Sequence, residues 1–120
     1  MMNAKVEPQV DAKWISICDQ QDLIPNVGVC AKLNDRQVAV FMVSDPQGNT
    51  ELFAIDNYDP KSGANVLSRG IIGDLKGHKV VASPIYKNHY DLQTGECLEE
   101  EYSIPVYTVR NRNGKIEVAA

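Results

Sequence analysis

The sequence predicts an all-β fold, an antiparallel sandwich, on three observations. Short apolar segments recur along the chain, and turn residues (Pro, Gly, Asn, Asp) separate them at regular spacing. No segment carries the 3.6-residue apolar period of an amphipathic helix.

The elements follow in order. Met1 to Asp11 is polar and reads as loose. "KWISICD" alternates from Lys13, with Trp14, Ser16 and Cys18 on one face and Ile15 and Ile17 on the other, which fits a first strand. "QQDLIPNVG" reads as a turn opened by Asp22, broken at Pro25 and ended at Gly28. "VGVCAKL" is a strand and "NDRQ" a four-residue turn on Asn34 and Asp35. "VAVFMVS" is nearly continuous in apolar residues, as a strand buried on both faces would be, and is placed centrally. "DPQGN" turns the chain, and "TELFAID" returns antiparallel.

From Asn57 to Ile72 the alternation fades, and "NYDPKSGANVLSRGIIGDLKG" reads as a long loop with tight turns. "HKVVASP" and "HYDLQTG" follow as two short strands around a turn. The chain closes as a hairpin, "VYTVR" and "KIEV", on Asn113-Gly114, a pair suited to positive φ at both central turn positions. These spans predict a base sandwich over about 13–56 and 97–120. A loop-rich subdomain over about 57–96 is inserted into it.

The chain's 120 residues suffice for one domain with its own core. A net charge of −4 and a pI near 5.1 speak against a nucleic-acid binder, and Arg110, Arg112 and Lys115 are too few to change that. No apolar run approaches the length of a membrane span. The start of the sequence lacks the apolar stretch of a signal peptide, so a cytoplasmic protein is expected. The three cysteines, Cys18, Cys30 and Cys97, are expected to be free and mostly buried.

The middle of the chain resembles the Rieske [2Fe–2S] fold. Rieske domains hold their cluster on two loops of the form C-P-H-x-G-x-x-L-x-x-G and C-P-x-H-x-x-x-F-D-x-x-T-G, one Cys and one His from each. "SPIYKNHYDLQTG" matches the second in frame at Pro84, Tyr90, Asp91, Thr94 and Gly95. "DPKSGANVLSRG" matches the first with one extra residue, at Pro60, Gly63, Leu67 and Gly70. The four ligand places hold Asp59, Lys61, Ser83 and Tyr86, none of which is a thiolate or an imidazole. A [2Fe–2S] cluster is therefore not expected on this chain.

"DLIPNVGVCA", "SGANVLSRG", "ASPIYK" and "GECLEEE" are similar to the small subunits of cytoplasmic NAD(P)H-dependent nitrite reductases, over about Trp14 to Val118. That resemblance implies a non-catalytic subunit without a redox centre of its own. It implies a large partner subunit carrying FAD, an iron–sulfur cluster and sirohaem, which reduces nitrite to ammonium in nitrate and nitrite assimilation. Two other readings stay open on the residues alone. One is a stand-alone interaction or regulatory module; the other is an electron carrier with a cluster on Cys18, Cys30 or Cys97.

The vacated loops carry the site expectations. Asp59 and Lys61 read as an exposed turn with a weak pair. Ser83 and Tyr86 read as bonding across the old cluster gap, filled by Tyr90 or Ile85, because a void there costs packing energy. The loop tip offers Tyr58, Lys61, Arg69, Ile85, Tyr86 and Lys87 as partner contacts. His78 and His89, near Asp74 and Asp91, read as two surface histidines rather than a metal site. Cys30 reads as core, and Glu99–Glu101 as a solvated acidic run.

Overall fold

A computed structural model describes residues 13–119 of the chain; the reading of Met1 to Asp11 lies outside them. Among the described residues the strands are β1 (Trp14–Asp19), β2 (Val29–Leu33), β3 (Arg36–Ser44), β4 (Thr50–Asp56), β5 (Tyr58–Asp59) and β6 (Ala64–Asn65). They continue as β7 (Ile71–Leu75), β8 (His78–Ala82), β9 (His89–Asp91), β10 (Val106–Tyr107), β11 (Val109–Arg112) and β12 (Lys115–Ala119). The only helical pieces among these residues are the 3₁₀ turns Gln20–Asp22 and Leu67–Arg69. No helix there is long and apolar enough to cross a membrane.

The apolar run of β3 explains the architecture. Ala39, Phe41 and Val43 point into one core with Phe53 and Ile55; Val38 and Val40 point into a second with Ala54, Ile116 and Val118. A strand buried on both faces cannot afford alternation, and full burial stabilises by ~1.5–3 kcal/mol for each large aliphatic side chain. β3 therefore sits inside a four-stranded sheet in the order β10-β4-β3-β2, as the run predicted. A three-stranded sheet, β1-β12-β11, closes the second core, and the Asn113-Gly114 turn joins β11 to β12 with φ of 54° and 85°.

Several elements depart from the sequence reading. Register slips between Ser16 and Cys18 of β1, a bulge that turns Cys18 toward the second core alongside Ile15 and Ile17. Only two residues, Asn34 and Asp35, separate β2 from β3, with Asn34 at φ 56°, so the four-residue turn was drawn too long. "VYTVR" is not one strand: β10 pairs with β4 and β11 with β12, and the chain changes sheet at Thr108. The expected long loop contains the β5/β6 hairpin, the second 3₁₀ turn and β7, which pairs with β8 through a Lys76-Gly77 turn at φ 54° and 83°. A lysine in the left-handed region is uncommon, so that turn carried no signal. Cys30 is exposed on β2 instead of buried; Cys18 is half-buried and Cys97 buried.

The first core continues into the third region of the molecule. Leu67, Val81, Tyr90 and Leu92 pack with Phe41, Phe53 and Ile55, so β7, β8 and β9 rest on the four-stranded sheet through a shared interior. This places the two loops, 59–70 and 83–88, side by side.

Candidate functional site

The first loop is closed at its base by Asn57. Its carbonyl accepts from the amides of Val66 and Leu67, and its side-chain oxygen accepts from the Ser68 amide at 2.7 Å. Leu67 plugs the core below. At the tip, the Asp59 carboxylate accepts from the Lys61 amide at 3.1 Å, and the Gly63 amide donates to the Asp59 carbonyl at 2.8 Å. The second loop curls on Ser83: the Ser83 amide donates to the Asn88 carbonyl, and the Lys87 amide donates back to the Ser83 carbonyl. Lys87 pays for that curl with φ 62°, left-handed for a residue with a side chain.

The four former ligand places meet as two pairs. In the inner pair the Ser83 hydroxyl donates to Asp59 Oδ2 at 2.8 Å, both residues fully buried. Around it, the Tyr90 hydroxyl donates to Asp59 Oδ1 at 2.6 Å, and Asn88 Nδ2 reaches Asp59 Oδ1 and the Tyr90 oxygen at 3.3 and 2.8 Å. Burial alone would push the Asp59 carboxyl up, but the hydrogen bonds, led by Tyr90 and Ser83, outweigh it and hold the carboxyl below its usual range. The Tyr90 phenol is pushed far up, first by burial and then by donating to Asp59. In the outer pair the Lys61 ammonium lies 5.8 Å from the centre of the Tyr86 ring and is paired with the Glu100 carboxylate.

This geometry corrects four expectations. Asp59 is not part of an exposed turn, and its partner is a set of neutral donors rather than the Lys61 ammonium. Tyr86 makes no bond across the gap; it is exposed and stacks with Lys61. Tyr90 fills the interior, while Ile85 is exposed. The acidic run is a clasp, not a free loop: Glu99 accepts from the His89 amide at 2.8 Å and faces its Nδ1 at 2.6 Å, and Glu100 holds Lys61. Sequence reasoning missed Asn88, Tyr102, Glu99 and Glu100 as members of this network. Nothing in the spacing of those residues marks a partner so distant along the chain.

Of the expected contacts, Tyr58, Lys61, Arg69, Ile85, Tyr86 and Lys87 are all exposed, and the structure brings Lys61 against Tyr86. Arg69 stands on the second 3₁₀ turn with no ion pair among the described residues. The histidines are separate: His78 Nδ1 lies 2.7 Å from Asp91, and His89 belongs to Glu99. Among the described residues no three His, Cys, Asp or Glu side chains gather as a metal set. The donor set of the two loops does not suit a [2Fe–2S] cluster. A carboxylate, an ammonium, a serine hydroxyl and a phenol replace two thiolates and two imidazoles, and a direct hydrogen bond closes the inner pair.

Comparison with known proteins agrees with this frame. Residues 13–119 match the family described as the Rieske-like [2Fe-2S] domain. The nitrite reductase (NADH) small subunit of Escherichia coli (strain K12) is 40% identical over 108 residues, covering 89% of this chain and 97% of that one. The nitrite reductase [NAD(P)H] large subunit of Klebsiella oxytoca is 38% identical over 117 residues, which cover 96% of this chain and 12% of that protein. The NMR structure of the Escherichia coli protein NirD superposes with a TM-score of 0.81 at 38% identity, over 91% of this chain and 97% of that one. A Rieske-like sandwich whose ligand places bind one another, with this degree of identity along nearly its full length, belongs to the family of nitrite reductase small subunits.

Proposed function

We propose that this chain is the non-catalytic small subunit of a cytoplasmic NAD(P)H-dependent nitrite reductase and acts by docking on the large chain. In this reading the large chain takes hydride from the nicotinamide and reduces nitrite to ammonium in six electrons, on FAD, an iron–sulfur cluster and sirohaem. The observation that carries it is the pairing of the four ligand places with one another, Asp59 with Ser83 and Lys61 with Tyr86. Such loops present a shaped, aromatic and cationic tip and hold no electron carrier. The Klebsiella oxytoca relative supports the partner, since a stretch similar to nearly all of this chain lies there within the reductase polypeptide.

The tip contacts are Tyr58, Lys61, Ile85, Tyr86 and Lys87, with Arg69 at their border. Aromatic and arginine side chains lose little entropy on burial for the area they contribute, which suits them to interface centres. We divide the chain into a base sandwich, 13–56 and 97–120, and an inserted subdomain, 57–96, that carries this tip. The cytoplasm would keep the three thiols reduced.

The test is a tagged pull-down of the full chain from cells grown on nitrite, with the visible spectrum of the eluate recorded. A large partner with flavin and sirohaem bands and nitrite-dependent NAD(P)H oxidation supports the reading. A colourless chain eluting alone while the large chain is expressed overturns it.

A further inference from the structure

A second exposed apolar face lies beside the tip, around the 3₁₀ turn Leu67–Arg69. Ile71, Ile24 and Val27 are 69%, 61% and 50% exposed, among the highest values for large apolar side chains in the described residues. Isolated exposed apolar residues are ordinary, but these three are held close to one turn by rigid backbone.

Ile24 and Val27 are the corners of a tight turn: the Val27 amide donates to the Ile24 carbonyl at 3.1 Å, Pro25 takes the second position and Asn26 the third at φ 65°. The Asn26 amide donates to the Met42 carbonyl, and the Asn26 side-chain oxygen accepts from the Ser44 amide, which fixes the turn to β3. Gly28 then seats the segment on the 3₁₀ turn, since a Cβ there would stand 2.4 Å from the Ser68 carbonyl oxygen. On the other side, a Cβ at Gly70 would stand 2.4 Å from the Ala82 carbonyl oxygen, and Ile71 pairs with Ala82. Ala82 precedes Ser83, so this face continues into the tip. Arg69 lies within it, exposed and without an ion pair among the described residues.

We infer that Ile24, Val27, Arg69 and Ile71 form a second docking face for the large reductase chain, covered by an apolar patch that carries a carboxylate opposite Arg69. This rests on the proposed subunit reading and extends it beyond the tip. The occupant follows from two observations: the unpaired guanidinium calls for an acidic group, and the relative in which this unit lies within a reductase polypeptide supplies the surface at hand. The face is pre-ordered, so little conformational freedom is lost on binding.

The experiment titrates the full-length chain against the purified large reductase chain by calorimetry, using unmodified protein, the double variant Val27→Glu/Ile71→Glu, Arg69→Glu and the tip variant Tyr86→Ala. Thermal melts confirm that each variant folds. The double variant is expected to weaken binding by at least ~30-fold and Arg69→Glu by ~10-fold, with melting unchanged. Binding within twofold of the unmodified chain for both, while Tyr86→Ala is weakened, overturns the second face and leaves the tip. If sedimentation shows that the chain self-associates and only that is lost in the double variant, the face belongs to a second copy and the inference fails. If the unmodified chain does not bind the large chain at all, the subunit reading itself has failed, and this face falls with it.

Discussion

The inner and outer pairs of the two loops hold the same sequence relationship and opposite environments. Asp59 and Ser83 are sealed from water and saturated by neutral donors, whereas Lys61 and Tyr86 meet at the surface under a carboxylate clasp. The buried pair is expensive to disturb because each donor aimed at the carboxylate loses its partner in a place water cannot reach. The exposed pair is cheap to disturb, because solvent replaces what is lost. Stability should therefore reside in the inner pair and recognition in the outer one.

The largest separation of the two should come from Asp59→Leu. It strands the hydroxyls of Ser83 and Tyr90 and the amide of Asn88, and it is expected to cost ~3 kcal/mol or more by urea denaturation. Tyr90→Phe keeps the ring in the core and removes one hydrogen bond to a charged group, so about 2 kcal/mol is expected by the same measurement.

Acid should act on the inner pair with a defined sign. The Asp59 carboxyl is held below its unfolded value of about 3.9, so its contribution is complete above that pH and disappears as the pH falls through the lower folded value. Unfolding free energy measured from pH 6 to pH 2 should fall less steeply at the acid end in Asp59→Asn than in the unmodified chain. At the surface, Lys61→Ala and Tyr86→Ala should change stability by no more than ~0.5 kcal/mol while weakening the complex by ~10-fold in a binding titration.

How much of this could be read beforehand differs between the same regions. β3 announced itself, because an apolar run that feeds two cores must be central, and Asn113-Gly114 named its own hairpin. The loop frame around Pro84, Tyr90, Asp91 and Gly95 was legible as a motif, and Tyr90 was a correct choice for the filler. The burial of Asp59 was not legible, because a charged residue before a proline reads as a surface turn. Only the arrival of Ser83, Asn88 and Tyr90 from another loop makes it a core group. The Glu99 and Glu100 clasp failed for the same reason: three consecutive acids look solvated until His89 and Lys61 are placed beside them. β7 was hidden by its glycine and by a Lys-Gly turn that composition does not flag.

The most direct test of the division of labour compares Ser83→Ala with Tyr86→Ala in one pair of assays, thermal melting and binding to the large chain. The account predicts that Ser83→Ala melts lower yet, below its transition, binds like the unmodified chain, and that Tyr86→Ala melts unchanged yet binds ~10-fold more weakly. A Tyr86→Ala variant that binds undiminished, or a Ser83→Ala variant that melts undiminished, would contradict it.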